Sequence, residues 1–468
     1  MRAFGSLFLP MIIAFTLPTG CGSAGGNPNA PGSSKRPPES TQAQPNATPP
    51  SDPVGQKFAA WVAAINSADR GRIDGVWSGS KDAEQRVSMD LAVAERSGGF
   101  DLHRVEDATA TEMVAVVKAK RTERWHCLLF NVETDPPHAI RTIALRPTSA
   151  PSDSDTGGSA ATPLDDKARV QVIQALVREL NRAYVFPEKA VAMDRELNTR
   201  LRQHAYAMLA SRLALARTLT DDVQRVTHDK HLRIEVGCSR GSARPGREPR
   251  TAPAAAGTDR PRIFRQTQRL DGNVAYVDIA TFGVPGAQAR EEIRDTMNAA
   301  ADAAAIIFDV RNNGGGEPET VALVTSYVFG SEPVHLNSLY WRVSDRTDDF
   351  FTDPRVEGNK FGPTKPVYVL TSARTFSAAE EFTYNLQARK RAVIVGETTG
   401  GGAHPGDVTP LPHGFTVFVP SGRAINPITN TNWEGTGVKP DVSVPAEAAL
   451  EAARKLALEK AGVRSGEK

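Results

Sequence analysis

The chain has 468 residues, enough for about three domains of ordinary size. Apolar residues make up 40% of it and glycine and proline together about 15%, which excludes a chain that is disordered throughout and a low-complexity protein. Lysine and arginine number 56 against 54 acidic residues, so the net charge of +2 provides no strong field for nucleic acid, and we expect no nucleic-acid partner.

Residues 1–20 have the pattern of a signal peptide, with one early charge at Arg2 and an apolar stretch from Phe4 to Leu17. Pro10 interrupts this stretch, which is too short to span a membrane. The ending Leu17-Pro18-Thr19-Gly20-Cys21 resembles a bacterial lipoprotein signal. The resemblance implies lipidation at Cys21 and an exported, membrane-anchored protein that faces the periplasm. Proline at position 18 departs from the usual aliphatic residue, so ordinary signal-peptide cleavage remains an alternative.

Residues 21–54 consist mainly of glycine, proline, serine, asparagine, alanine, glutamine and threonine. Such a segment cannot bury enough apolar surface to offset the entropy of ordering. We expect a disordered tether here.

Residues 55–148 predict a small α+β domain. Phe58, Trp61 and Ile65 share one face of a helix. Three strand-like segments follow, at Met113–Val117, Trp125–Val132 and Ile140–Leu145. A helix against a curved antiparallel sheet resembles the nuclear-transport-factor-2 (NTF2) type of domain, which by itself implies no chemistry.

After a polar linker at 149–164, residues 165–238 predict a helical lobe. An apolar stripe beginning at Val170 predicts a helix that ends near Pro187. A second helix is expected over Leu201–Leu219, and Thr220-Asp221-Asp222 is expected to cap a short third one that ends near His231. Residues 239–262 are predicted to form a loop.

Residues 263–450 predict an α/β core, because short continuous apolar runs alternate with helix-like stretches. Such runs are typical of strands that are buried on both faces. The predicted strands are Val274–Ile279, Ala304–Val310, Pro366–Leu370 and Ala392–Val395. Residues 451–468 predict a C-terminal helix.

The chain has three cysteines, Cys21, Cys127 and Cys238, and no pair with the spacing of a zinc site. This count indicates neither a disulfide framework nor a thiolate metal site. We expect no cofactor and no metal, because no acid or cysteine pattern accompanies the neighbouring histidines His228 and His231.

Two predicted strands end in segments that carry chemical groups. Ser377 follows the third strand and begins a helix, where unpaired backbone N–H groups stabilise an oxyanion. Ser377-x-x-Glu380 is also a capping box, so a purely structural serine is the alternative. Gly314-Gly315-Gly316 follows the second strand, where its backbone can approach a ligand closely or form an ordinary turn.

Three motifs in this order resemble the tail-specific, or C-terminal processing, serine protease family. The resemblance covers roughly residues 165–450, and the motifs are Asp309-x-Arg311-Asn312-Asn313-Gly314-Gly315-Gly316, Ser377-Ala378-Ala379-Glu380 and Gly396-Glu397-Thr398-Thr399-Gly400-Gly401-Gly402. It implies a core of the crotonase-like or ClpP-like type. It also implies Ser377 as the nucleophile, with Gly315 and Ala378 as oxyanion donors.

Two features of the sequence depart from the pattern of this family and favour one of its branches. Many processing proteases use a lysine base at a position that aligns with Gly402, and the segment before residue 273 is too short for a PDZ domain. The chain therefore resembles the branch that contains the tricorn protease core and the interphotoreceptor retinoid-binding protein modules. That branch implies His231 as the base and Glu434, within Glu434-Gly435-Thr436-Gly437-Val438-Lys439-Pro440-Asp441, as the acid of the relay. The serine that precedes the tricorn histidine is Lys230 here.

A neutral imidazole with a carboxylate behind it is a suitable base for a serine hydroxyl. His404 is a second candidate for this base. We therefore expect a serine endopeptidase with a peptide or protein substrate. The alternative is an inactive binding module for peptide tails or apolar ligands.

Overall fold

The computed structural model describes residues 48–80, 83–150, 164–209, 211–238 and 262–460. The predicted signal peptide at 1–20, the lipidation at Cys21 and nearly all of the tether lie outside these residues. Within the described ranges, no helix combines the length and apolar character needed to cross a membrane.

Residues 53–147, which we call the accessory domain, contain three helices and a four-stranded antiparallel sheet. The helices are α1 (Pro53–Ser67), α2 (Arg70–Trp77) and α3 (Ala83–Ser97), and the strands are β1 (Phe100–Ala108), β2 (Glu112–Ala119), β3 (Trp125–Val132) and β4 (Ile140–Pro147). Each strand pairs with the next along the chain. The three predicted strands are confirmed as β2, β3 and β4. The sequence patterns predict neither α3 nor β1, since the apolar residues of both are interrupted by charged ones.

The accessory domain begins earlier than the sequence predicts. Asp52 caps α1 by accepting a hydrogen bond from Gly55 N–H (3.0 Å), and Pro53 occupies the first helical position. Val54 is fully buried. The predicted tether boundary at residue 54 is therefore about two residues late.

The helical lobe consists of three helices and one strand, α4 (Asp166–Ala183), α5 (Pro187–Arg202), α6 (Arg212–Thr227) and β5 (Arg233–Val236). The prediction of a helix over Leu201–Leu219 is wrong. Pro187 begins α5, and Ser211 caps α6 by accepting from Ala214 N–H (3.2 Å). Thr220 lies inside α6, where its hydroxyl donates to the Ala216 carbonyl, and so it caps no separate helix. Leu164, expected in the linker, is buried against the lobe.

The accessory domain and the helical lobe share one apolar cluster and a covalent bond. Val114 and Val116 of the accessory domain pack in the same cluster as the lobe residues Leu176 and Leu215. Cys127 in β3 forms a disulfide with Cys238, just after β5. The cysteine count gave no indication of this bond, because the two cysteines are 111 positions apart and packing, not a local pattern, brings them together.

The rest of the chain forms the core. Its strands are β6 (Phe264–Leu270), β7 (Val274–Ile279), β8 (Ala305–Asp309), β9 (His335–Trp341), β10 (Arg346–Phe351), β11 (Val367–Thr371), β12 (Val393–Gly396), β13 (Gly406–Pro410), β14 (Phe415–Pro420), β15 (Gly422–Ile425) and β16 (Val442–Ser443). Its helices are α7 (Ala287–Ala300), α8 (Pro318–Ser326), α9 (Ala378–Ala388) and α10 (Ala449–Lys460).

The central sheet has the order β16-β12-β11-β8-β7-β6, and only β6 is antiparallel to its neighbour. Helices α7, α8 and α9 cover one face, and α10 covers the other with three alanines. This confirms the four predicted strands and their burial on both faces. The C-terminal helix begins two residues before the predicted position 451.

Two three-stranded sheets flank the central sheet, β10-β9-β15 and β13-β14-β5. In the second of them β5 of the helical lobe pairs with β14 of the core, with Arg233 opposite Phe418. Because His231 lies two residues before β5, this pairing brings the histidine of the lobe to the core.

We expect the Cys127–Cys238 bond to stabilise the chain mainly by restricting the unfolded ensemble. Replacing both cysteines by alanine should lower the free energy of unfolding by about 2–5 kcal/mol. Urea denaturation measures this, and dithiothreitol should shift the midpoint of the native chain but not that of the variant. An unchanged midpoint in the double variant would contradict the expectation.

Candidate active site

The nucleophile loop and the glycine loop meet at the carboxyl ends of β11 and β8. These strands are parallel neighbours, with Leu370 opposite Asp309. Phe376 N–H donates to the Asn313 carbonyl (3.1 Å). A Cβ atom on Gly315 would lie 2.8 Å from Ser377 Cβ, so only glycine allows this approach. The structure thus brings together Ser377, Ala378 and Gly315, as expected.

Ser377 is half-buried and has φ 56° and ψ −123°, a backbone conformation that non-glycine residues rarely adopt. Such local strain persists only where surrounding contacts hold it. Ser377 N–H donates to Glu380 Oε2 (2.9 Å), and Glu380 N–H donates to the Ser377 carbonyl (2.8 Å). The half of the capping box that the Glu380 side chain forms therefore exists, and it helps to hold Ser377 in the strained conformation at the start of α9.

The Glu380 carboxylate joins this turn to a second loop. Its oxygens also accept from Thr399 Oγ1 (2.5 Å), Gly401 N–H (2.6 Å) and Gly402 N–H (2.8 Å). Burial raises the pKa of the carboxyl group, and the four donors act in the opposite direction. The sequence reveals Glu380 only as a capping residue, whereas the structure shows that it links two motifs of the site.

His231 lies in the turn between α6 and β5, with its backbone N–H bonded to Asp229 Oδ1 (3.0 Å). Its ring centroid is 4.5 Å from that of Phe376 and 5.6 Å from that of Phe418. Burial lowers the pKa of His231 to about 4, so the imidazole is neutral at pH 7. The structure therefore places a neutral imidazole against the residue that precedes Ser377.

No hydrogen bond joins the Ser377 hydroxyl to His231 in the described part of the chain, and His231 Nδ1 is buried without a partner. Catalytic hydrogen bonds are often long or poorly aligned before substrate binds. The imidazole thus packs on Phe376, the residue before Ser377, and its hydrogen bond to the Ser377 hydroxyl is not formed.

Gly402, where a lysine base would align, lies directly against His231. A Cβ atom on Gly402 would be 2.6 Å from His231 Cε1 and 2.3 Å from Phe376 Cζ. The imidazole and the phenyl ring thus occupy the space that a lysine side chain would need. A lysine at position 402 is therefore incompatible with the observed positions of these two rings.

Glu434 and His404 lie behind His231. Glu434 Oε2 accepts from Ala403 N–H (2.5 Å) and is 3.5 Å from His404 Nδ1. Glu434 Oε1 is buried without a partner. Burial, and secondarily the charge of Asp229, raises the pKa of Glu434 to about 7. Two of the three predicted triad residues, His231 and Glu434, therefore share one cluster with the second candidate base His404, whereas Ser377 makes no hydrogen bond to it.

Asp229 is the member of the cluster that sequence reasoning missed. Its Oδ2 accepts from Tyr184 OH (3.1 Å) and lies 2.8 Å from His404 Nδ1. It lies two residues before His231 in the chain, and this proximity was the available signal. Lys230 instead points to the glycine-rich loop, where its Nζ donates to the Gly400 carbonyl (2.5 Å).

Contrary to the expectation from sequence, two acidic residues do accompany His231 in space. Ligand atoms of Asp229, His231 and Glu434 lie within 4.8 Å of one another, a spacing that could hold a cation. His228 is exposed at the end of α6, outside this group. Asp229 Oδ1 already accepts from His231 N–H, and Oδ2 already accepts from Tyr184 OH and contacts His404 Nδ1. A cation at this position would compete with these hydrogen bonds.

The backbone N–H groups of the two expected oxyanion donors differ in whether they already donate a hydrogen bond. Gly315 N–H donates to Asn313 Oδ1 (2.8 Å), so its hydrogen is already in use. Ala378 N–H begins α9, and it has no hydrogen-bond acceptor among the described residues. The Ala378 amide is thus available to an oxyanion, whereas the Gly315 amide becomes available only if its bond to Asn313 breaks.

Comparison with known proteins supports the resemblance. Residues 273–444 match peptidase family S41, and residues 166–266 match the N-terminal domain of peptidase S41 in eukaryotic IRBP. The chloroplastic C-terminal processing peptidase of Tetradesmus obliquus is 29% identical over 175 residues, which are 37% of this chain and 36% of the relative. Chloroplastic carboxyl-terminal-processing peptidase 2 of Arabidopsis thaliana is 28% identical over 174 residues, 37% of this chain and 32% of the relative.

The chain thus spans about a third of the length of these curated relatives. Among solved structures, a peptidase of Parabacteroides merdae has a TM-score of 0.45 at 18% identity, covering 62% of this chain and 96% of that one. The tricorn protease has a TM-score of 0.42 at 11% identity, covering 75% of this chain and 44% of that one.

The raised pKa of Glu434 predicts how stability depends on pH. Between about pH 4.5 and 7 the unfolded chain has lost this proton and the folded chain retains it, so stability falls as pH rises. Glu434→Gln removes the penalty and should stabilise the chain by about 1–3 kcal/mol above pH 7, with little effect below pH 4.5.

Urea denaturation of both proteins at pH 4.5 and pH 8 measures this difference. Glu459→Gln, at an exposed position on α10, is the matched control and should show no such pH dependence. A Glu434→Gln effect of the same size at both pH values would contradict the assignment of the raised pKa to this carboxyl group.

Proposed function

Because the chain belongs to peptidase family S41, we propose that it is a serine endopeptidase that cleaves peptide bonds through an acyl-enzyme at Ser377. One observation carries this proposal: the neutral imidazole of His231 packs against Phe376 beside Ser377, with the half-buried Glu434 within 4.8 Å of a ring nitrogen. Hydroxyl, imidazole and carboxylate are the three groups that such a reaction requires.

In the proposed reaction, His231 accepts the hydroxyl proton while Ser377 Oγ attacks the carbonyl carbon of the substrate. Ala378 N–H stabilises the oxyanion, and Gly315 N–H joins it after its bond to Asn313 Oδ1 breaks. The imidazolium then gives its proton to the leaving amine as the peptide C–N bond breaks. Water hydrolyses the remaining ester by the same steps in reverse, which restores Ser377.

Glu434 and Asp229 provide the negative charge that stabilises the imidazolium formed in each step. Glu434 Oε1 and His231 Nδ1 are both buried without a partner, and both gain one if they form a hydrogen bond when substrate binds. His404 positions Asp229 through its Nδ1 and is not the base in this proposal.

We also propose that the enzyme acts on exported proteins or peptides as a lipoprotein anchored through Cys21. The Cys127–Cys238 disulfide supports an exported location, because disulfides persist mainly in oxidising compartments. In domain terms, residues 55–148 are assigned to the NTF2 type. The helical lobe covers 165–238, and the core at 263–450 is of the crotonase-like or ClpP-like type.

Ser377→Ala should abolish peptide hydrolysis, with a loss of turnover on the order of 10⁶. A fluorophosphonate probe should label the native chain and fail to label the variant, which in-gel fluorescence measures. Ser372→Ala is a matched control on the same loop, because its hydroxyl already donates to the Arg311 carbonyl (2.6 Å). A native chain that resists labelling would favour the binding module over the peptidase.

The two histidines should differ in their effect on the chemical step. His231→Ala should reduce kcat by about 10²–10⁴, the range typical of a lost general base. His404→Gln should reduce kcat less, because the glutamine amide can still donate to Asp229. This variant should slow the hydrolysis of an unreactive peptide more than it slows labelling by the reactive fluorophosphonate probe. Kinetics with a fluorogenic peptide measure both, and a larger loss in the His404 variant would reverse the assignment.

A further inference from the structure

A cleft of about 400 Å³ lies between the accessory domain and the glycine loop of the core. The accessory side contributes Arg86, Met89, Arg141 and Ile143 to its lining, and the core side contributes Gly314 and Arg374. Gly314 is adjacent to Gly315, which contacts Ser377, and Arg374 precedes Ser377 by three residues. A peptide bound at Ser377 therefore reaches this cleft within a few residues.

The cleft carries an excess of positive charge. Three guanidinium groups line it, those of Arg86, Arg141 and Arg374, against the single carboxyl group of Asp90. Asp90 is buried, and its Oδ2 accepts from the indole N–H groups of Trp61 (2.9 Å) and Trp77 (2.8 Å). The Asp90 carboxylate thus already accepts hydrogen bonds from two buried indole groups, and the rest of the charged lining of the cleft is cationic.

The three arginines are held in different ways. Arg86 lies over the Trp77 ring, 4.5 Å from its centroid, and Arg374 donates to Asn312 Oδ1 through Nε (3.0 Å) and Nη2 (2.6 Å). Arg141 is exposed, and within the described ranges its side chain makes no hydrogen bond or ion pair, although Glu112 lies within electrostatic range. Planar guanidinium groups suit carboxylates, which they bind through paired N–H donors.

The cleft also offers apolar contacts. Met89 is exposed to 59%, and Ile143 is half-buried beside it. An apolar lining with a few converging charged groups is typical of a ligand site, and this volume lies within the usual range for one. The combination favours a peptide segment that carries a negative charge over a small inorganic ion.

We propose that this cleft binds a carboxylate group of the peptide substrate, so that the enzyme prefers acidic peptides. The inference rests on the proposed peptidase function, and it assigns the accessory domain a part in substrate selection. In a peptide the carboxylate belongs either to an aspartate or glutamate side chain or to the chain terminus. Both sources present the same chemistry to the arginines.

The test measures binding to the Ser377→Ala variant, so that hydrolysis does not interfere. The probes are fluorescein-labelled decapeptides of alanine, serine and leucine, with one glutamate or glutamine at each position in turn. Each is made with a free or an amidated C-terminus. Fluorescence anisotropy should show that glutamate at one position, or a free terminus, lowers Kd about 5- to 10-fold and that added salt weakens this preference.

Arg141 provides the discriminating variants, because it is exposed and lies far from the catalytic groups in the chain. Arg141→Gln should remove most of the preference for the acidic peptide, and Arg141→Glu should reverse it, while Kd for the neutral peptide changes less than twofold. Arg124→Gln is the matched control, because Arg124 is also exposed but lies next to the start of β3, whereas Arg141 lies beside the other end of that strand.

A preference for side-chain glutamate and a preference for the free terminus both support the proposal and identify the source of the carboxylate. Equal affinity for charged and neutral peptides, a preference unaffected by Arg141→Glu, or no binding of any peptide would overturn it. Fluorophosphonate labelling of Ser377 in the native chain separates the two failures. Labelling without a carboxylate preference overturns this inference alone, whereas loss of labelling overturns the proposed peptidase.

Discussion

The arrangement of the site depends on one buried carboxylate, that of Glu380. A charged group away from water is stable only when donors replace its hydration, and Glu380 receives four, from Ser377, Thr399, Gly401 and Gly402. These donors come from two different loops of the core. The carboxylate therefore keeps the strained turn at the nucleophile and the glycine-rich loop at a constant separation, and the imidazole of His231 packs where they meet.

The position of His231 depends on a second constraint, the pairing of β5 with β14. Through this pairing a strand of the helical lobe becomes part of a sheet of the core. The Cys127–Cys238 bond and a shared apolar cluster then attach the accessory domain to the same strand. His231, Ser377 and the cleft at the accessory domain are thus parts of one connected framework, although they come from three separate parts of the chain.

Much of the core was predictable because its signals are local. Strands buried on both faces need continuous apolar runs, and the four predicted runs are the strands β7, β8, β11 and β12. The helices of the lobe were harder to place. Proline at position 187 is compatible with the end of one helix or the first turn of the next, and the structure has it beginning α5. Local patterns do not distinguish these cases.

The sequence by itself determined the residue types of the candidate site and the order of its motifs, because Ser377, the glycine loop and Glu434 each stand in a recognisable local context. Only the tertiary structure decided that Asp229 joins His404, that Glu380 links two loops, that Cys127 meets Cys238 and that three arginines converge beside Gly314. These relations join residues distant along the chain. They arise from packing and strand pairing, which no short segment encodes alone.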